Sequence, residues 1–293
     1  MESWLVFALL YPAVLACVNV LDKFLLEKRI RDYRCLCLLV GFLALVAGVV
    51  LTTSAPWTAL PTDKIVLGFA AGLLIALTYP LYFSVLSFEE VSRTVSIIYA
   101  TPVLVSFFAA VALGESLPIW KYAAVVFAAA GAVLIGIDRF RKTPVMRRGF
   151  WRLVAMCVII GVVNIMGKYA LAELSIWNYI GLELLGMTSL LLFAFSRHAR
   201  RHIAHSLKSM HLIALSEYST YGAWLLWAAG TSVASASLMS AMGSLQPLYV
   251  LALMLLLSAF KPRILKEVFT KKTLALKAVA VLMIVIGTFF VAL

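Results

Sequence analysis

Asn19-Val20-Leu21-Asp22-Lys23-Phe24 returns 145 residues later as Asn164-Ile165-Met166-Gly167-Lys168-Tyr169. The same offset carries Ser87 onto Ser232, Ser92 onto Ser237 and Pro102 onto Pro247. It carries Tyr79 onto Trp224 and Tyr82 onto Trp227. No gap is needed through the first four apolar segments of each half. A second register, offset 156, matches Lys121 with Lys277 and Gly131 with Gly287. The second half therefore holds 11 extra residues around Lys261 to Lys272. Internal self-similarity on this scale marks a duplicated unit.

The unit is a membrane unit. The chain is 64% hydrophobic and 13% charged, with a mean hydropathy of +1.03, against about 45–50% and about 25% for soluble domains. Ten apolar segments approach the roughly 20 residues that a membrane span requires: 4–21, 34–52, 64–86, 92–113, 119–137, 152–172, 177–195, 211–233, 237–259 and 272–293. None alternates with the period of a membrane barrel strand. Helices, which satisfy their own backbone hydrogen bonds, are the remaining solution. The expected fold is an all-α membrane protein with ten transmembrane helices in two five-helix units, 1–140 and 150–293. Five is odd, so the second unit enters from the opposite side and the repeats are inverted. Two similar, oppositely oriented halves provide a physical basis for alternating access.

The net charge of +12 is distributed as a topology signal rather than a nucleic-acid surface. Connections after the odd-numbered spans collect 22 of the 25 Lys and Arg; the other face keeps Lys64, Lys121 and Lys168. The positive-inside rule then places both termini outside the cytoplasm. Cys17, Cys35, Cys37 and Cys157 sit in or beside apolar segments and read as small hydrophobes. No cleavable signal peptide is visible, since the N-terminus lacks a basic region and carries Glu2. His198, His202 and His205 have helical spacing but lie among Arg197, Arg200, Arg201 and Lys208, so an amphipathic interfacial loop explains them better than a metal site. No nucleophile–base pair, phosphate loop or zinc signature appears. Neither an enzyme nor a cofactor is expected.

Thr101-Pro102-Val103-Leu104, Ala112-Leu113-Gly114-Glu115 and Gly131-Ala132-Val133-Leu134-Ile135 resemble the Pro-Val, Leu-Gly-Glu and terminal Gly-rich signature of the drug/metabolite transporter superfamily, EamA type. Tyr82 to Arg93 is similar to the stretch before that family's fourth span. The resemblance implies a metabolite transporter with a midplane cavity lined by spans one, three, four, six, eight and nine. It also implies cytoplasmic termini, in conflict with the charge distribution, which the present reading follows. The second half departs from the pattern: where Gly114-Glu115 stands in the first, the second has Ala259-Phe260-Lys261. Symmetry therefore gives Glu115 no transport role, and it reads as a cap of the fifth helix.

Polar groups inside spans cost about 2.5–3.5 kcal/mol when charged and so need a reason. Glu217, Tyr221 and Trp224 are spaced i, i+4, i+7 on one helix face, with Tyr79, Tyr82, Trp224 and Trp227 at equivalent places in the halves. A carboxylate near aromatic faces suits a cationic or amphipathic metabolite. Asn19, Asn164, Tyr99, Gln246 and Glu183 complete the candidate substrate-binding set. Glu183 has a second reading: Lys168 lies at similar depth, roughly 10–13 Å from the turn joining their helices, and the two could form an ion pair.

The sequence thus points to a secondary transporter in the cell membrane, plasma or inner. It would move a small polar or amphipathic metabolite, cationic or amino-acid-like among the options. Coupling to a proton or ion is open, and so is the choice between monomer and dimer. A flippase for a lipid-linked intermediate, or a non-transporting membrane partner or enzyme, is the alternative.

Overall fold

The computed structural model describes residues 3–30, 32–57, 61–136, 144–260 and 271–292. Most of the 11-residue insertion, and Arg139, Arg141 and Lys142 of the basic cluster, lie outside the described residues. The helices are α1 Ser3–Lys28, α2 Tyr33–Ser54, α3 Thr62–Leu86, α4 Val91–Ile98, α5 Thr101–Ala112, α6 Ile119–Gly136, α7 Pro144–Ala170 and α8 Ile176–Met187. A 3-10 stretch, Thr188–Phe195, follows α8, and then come α9 Arg197–Leu207, α10 Met210–Val233, α11 Ala236–Gly243, α12 Gln246–Phe260 and α13 Lys271–Ala292. No strand occurs among the described residues.

Each apolar segment of the sequence coincides with a helix or a pair of helices. Among the described residues, seven helical stretches are long and apolar enough to cross a membrane: α1, α2, α3, α4 with α5, α7, α8 with its 3-10 stretch, and α11 with α12. Shorter apolar stretches lie in α6 and α13, and α10 has 24 residues. Side-chain caps set several starts. Asp32 accepts from the Arg34 N–H at 2.8 Å, Ser175 from Asn178 at 3.1 Å and Ser235 from Leu238 at 3.2 Å, each satisfying a donor the helix cannot.

Two segments are broken at matched places. The fourth parts at Tyr99 and Ala100, just before Pro102, and the ninth at Ser244 and Leu245, just before Pro247. Proline supplies no N–H and crowds the preceding turn, so each matched proline begins a new helix. The interfacial loop expected around the histidines is instead the short basic helix α9. It packs on α2 and buries Ala199 and Ser206. No group of three His, Cys, Asp or Glu suited to a metal occurs among the described residues.

Packing follows the repeat. α1 lies along α10 as α7 lies along α3, and α12 meets α1 as α5 meets α7. α6 and α13 pack on each other through the matched pair Gly131 and Gly287. A Cβ at Gly131 would lie 2.8 Å from the Ala280 carbonyl oxygen, and one at Gly287 2.7 Å from the Ala128 nitrogen. The lysines of the opening motif are equivalent to the atom. Lys23 Nζ donates to the carbonyls of Leu86 and Glu89, both at 2.8 Å. Lys168 Nζ donates to those of Thr231 at 2.7 Å and Ala234 at 2.8 Å. All four acceptors lie at or just beyond helix C-termini, α3 and α10, where cations are favoured. This corrects the Lys168–Glu183 ion pair: the ammonium is turned to backbone carbonyls, and Glu183 takes its hydrogen bond from Tyr179 at 3.3 Å.

The symmetry is broken in one direction. Near the face that carries the termini, α3 crosses α8 so closely that a Cβ at Gly72 would lie 1.9 Å from the Glu183 carbonyl oxygen, and one at Gly186 2.2 Å from that of Phe69. The repeat-equivalent crossing on the basic face pairs α10 with α2 and replaces Gly72 by Glu217. There the helices approach over a much shorter length. Two further ties hold the termini face. Lys64 Nζ sits 3.3 Å from Glu173 and 3.0 Å from the centre of the Tyr169 ring. Glu115 accepts from Ala236 N at 3.0 Å and from Ser237 N and Oγ at 3.3 and 2.9 Å. Glu115 therefore caps α11, in the other half, and not the fifth span's helix α6. The repeat partners of Lys64, Glu173 and Glu115 are Ser209, Lys28 and Phe260, which cannot make these ties.

Candidate functional site

A cavity of about 220 Å3 opens between the halves. Its walls are built from repeat-related pairs. On α1, Tyr11, Leu15, Val18 and Asn19 line it. On α7 their partners at offset 145, Met156, Ile160, Val163 and Asn164, line it too. Ile75, Tyr79 and Tyr82 of α3 face their partners Thr220, Trp224 and Trp227 of α10. Val95 matches Ser240, and Thr101 matches Gln246, at the two broken segments. The six spans expected to line the cavity do so, and α8 joins them through Glu183.

Nine of the ten candidate residues line this cavity: Glu217, Trp224, Tyr79, Tyr82, Tyr99, Asn19, Asn164, Glu183 and Gln246. Tyr221 does not. It is buried beside Trp224, with ring centres 5.9 Å apart at 47°, and supports that wall. Trp227, which was outside the candidate set, is also a lining residue.

The polar residues are wired together. Asn19 donates from its side-chain amide to the Tyr82 hydroxyl at 2.7 Å. Gln246 donates to the Asn19 side-chain oxygen, and the Tyr99 hydroxyl donates to that of Gln246. This chain joins α3, α1, the start of α12 and the α4–α5 break, and so crosses between the halves. The breaks matter here, because an uninterrupted helix would have no reason to turn Tyr99 and Gln246 toward one another. Asn164, the partner of Asn19, bonds back to its own helix, at Ile160 O, 2.8 Å.

The acids lie where the symmetry fails. Glu217 is 2% exposed and accepts from the Tyr79 hydroxyl at 3.2 Å. Sequence reasoning missed Asp22, which is 4% exposed, lines the same cavity and accepts from the Ser216 hydroxyl at 2.6 Å. The signal was present in the opening motif, but the apolar segment ends at 21 whereas α1 runs on to Lys28. The repeat partners of Asp22, Glu183 and Glu217 are Gly167, Leu38 and Gly72. The repeat supplies a frame, and each acid is an addition to one half of it.

The EamA-like transporter family model matches residues 2–137. None of the curated proteins matches the chain. A solved crystal structure shares the fold over nearly the whole length, with a TM-score of 0.63 at 19% identity, covering 98% of this chain and 95% of its own. The helical membrane architecture, the repeat-lined cavity and the matched first half agree on a multi-pass membrane protein whose residues 2–137 match the EamA-like transporter family, a match that points to a membrane transporter of the drug/metabolite type.

Proposed function

We propose that the chain is a secondary transporter that carries a small polar or amphipathic metabolite across the cell membrane by alternating access. Its units would be the two halves 1–140 and 150–293. One observation carries the reading: a single cavity is walled by repeat-related pairs from both halves, at the two broken segments and beside buried acids. Inverted halves whose equivalent crossings are packed unequally, α3 tightly on α8 but α10 only briefly on α2, form one member of a pair of exchangeable arrangements. In the arrangement described, the ties are on the termini face: Lys64 with Glu173, Glu115 with α11, and Gly72 against Gly186. Exchange would untie these and bring α10 onto α2.

Glu217 serves as a substrate or proton group in this reading, with Tyr79 and Trp224 beside it and the Asn19–Gln246 chain as a polar floor. Both termini lie outside the cytoplasm, following the charge distribution. The test is uptake by purified protein in liposomes, with a panel of small polar and amphipathic metabolites and Glu217→Gln alongside. Saturable uptake that Glu217→Gln abolishes supports the reading. Uptake of no solute by folded wild-type protein, or uptake that Glu217→Gln leaves unchanged, defeats it.

A further inference from the structure

We infer that Asp22 and Glu217 together form one divided anionic site for the cationic nitrogen of an ammonium-bearing substrate, with Asp22 setting the charge preference. This rests on the transporter reading above and names its substrate class.

The charged side chains lining the cavity are Asp22, Glu183 and Glu217, with no Lys, Arg or His among the lining residues. The lysines next along α1 and α7, Lys23 and Lys168, are turned to helix-end carbonyls at 2.7–2.8 Å, and the carboxylate that Lys23 pairs with is Glu27, at 3.1 Å. The groups that hold the two acids are neutral hydroxyls, Ser216 on Asp22 and Tyr79 on Glu217. Ser216 and Glu217 are consecutive, so the bond to Asp22 pins α1 and α10 together with both acids on the same wall. A carboxylate has room for about four hydrogen bonds, so the hydroxyls beside them, with Tyr82 also near Asp22 and Tyr221 near Glu217, leave both acids able to accept more. A buried charge without a counter-charge is costly. The repeat partners of the two acids are Gly167 and Gly72, so duplication symmetry does not require an acid at either place.

The independent observation is the enclosure itself. Tyr79, Tyr82, Trp224 and Trp227 line the same cavity as the acids, and a cation is attracted to aromatic faces. At about 220 Å3 the cavity is smaller than the roughly 300–1,000 Å3 of pockets for drug-sized ligands. The class that fits is a small amine: a cationic nitrogen for the acids and a short apolar body for the rings.

The experiment compares three probes of nearly one shape and different charge: phenethylamine, phenylacetate and 2-phenylethanol. Thermal stabilisation of the purified full-length protein is measured against concentration of each. Phenethylamine should raise the melting temperature, and the anion and the alcohol should not. Asp22→Asn, which keeps the shape and an acceptor for Ser216, should weaken the amine response tenfold or more. Equal stabilisation by phenylacetate or phenylethanol, no stabilisation by the amine, or an Asp22→Asn response equal to wild type would overturn the inference. The wild-type charge series decides even if the variant fails to fold. Liposome uptake separates the two readings: saturable transport of neutral or anionic solutes would sink the cationic site and leave the transporter standing.

Discussion

Replacing Gly72 by alanine should prise α3 away from α8 on the termini face. The added methyl would sit 1.9 Å from the Glu183 carbonyl oxygen, 2.7 Å from its carbon and 2.9 Å from the Gly186 Cα. A carbon–oxygen contact is comfortable at about 3.3 Å, so α3 must retreat by more than an ångström, and backbone on both sides leaves no flexible group to give way. Overpacking of this kind costs about 1–3 kcal/mol. Since 1.4 kcal/mol is a factor of ten, the tied arrangement should lose about fivefold to 140-fold in population against any arrangement with α3 and α8 apart. Spin labels at positions 63 and 177, near the starts of these two helices, report the separation by pulsed electron resonance in a background with the four native cysteines replaced. The distance distribution should lengthen and broaden. Gly222→Ala is the control, because a Cβ there meets nothing within 4 Å, and alanine in an open helical site is neutral or mildly stabilising. If Gly72→Ala gives the wild-type distribution and melts no lower than Gly222→Ala, the close crossing is not what holds this face.

Four further outcomes follow from the same geometry. Glu217→Gln should fold and insert normally but lose transport, or lose its pH dependence, since proton and substrate compete for a carboxylate that the amide lacks; uptake rates across a pH series check this. Lys23→Met and Lys168→Met should each leave two helix-end carbonyls unsatisfied and cost about 1–3 kcal/mol, with Lys23→Met the more costly because it also loses the ion pair with Glu27 at 3.1 Å; thermal melts of the two variants side by side check it. Glu115→Ala should remove the α11 cap at about 0.5–2 kcal/mol and raise hydrogen exchange at Ala236 and Ser237; unchanged exchange there would show that the cap is idle. A C-terminal reporter active only in the cytoplasm should stay silent, whereas strong signal would return both termini to the cytoplasmic side.

Much of the fold is legible in the sequence because lipid imposes a one-dimensional rule: helices must be apolar, long and internally bonded. The repeat is legible because duplication leaves residues such as Asn19 and Asn164 in register. Matched aromatics and amides of that register line one space, where the family resemblance had implied a cavity. What was not legible depends on contacts between distant residues. Glu115 caps a helix more than a hundred residues on, and no spacing rule reveals that. Lys168 was paired with Glu183 on depth alone, but a lysine near a helix end is better served by carbonyls that lack donors. Asp22 was hidden by Lys23 beside it, because two charges together read as the end of a span although Lys23 is absorbed by α3 and the helix continues. The broken fourth and ninth segments could have been found from Pro102 and Pro247, which mark each break.

The substitution of a glutamate for a glycine between the two equivalent crossings has a kinetic consequence. If the basic face closed with the geometry of the termini face, the position of Gly72, where not even a methyl fits, would have to admit the side chain of Glu217. A bare carboxylate driven into helix contact loses its hydration, and the effective penalty for an ion so buried is several kcal/mol. An occupant that neutralises Glu217 removes most of that charge penalty, although the side chain must still find room. The loaded carrier would then cross over faster than the empty one, so flux in one direction would be tied to flux in the other and solute would not simply run down its gradient.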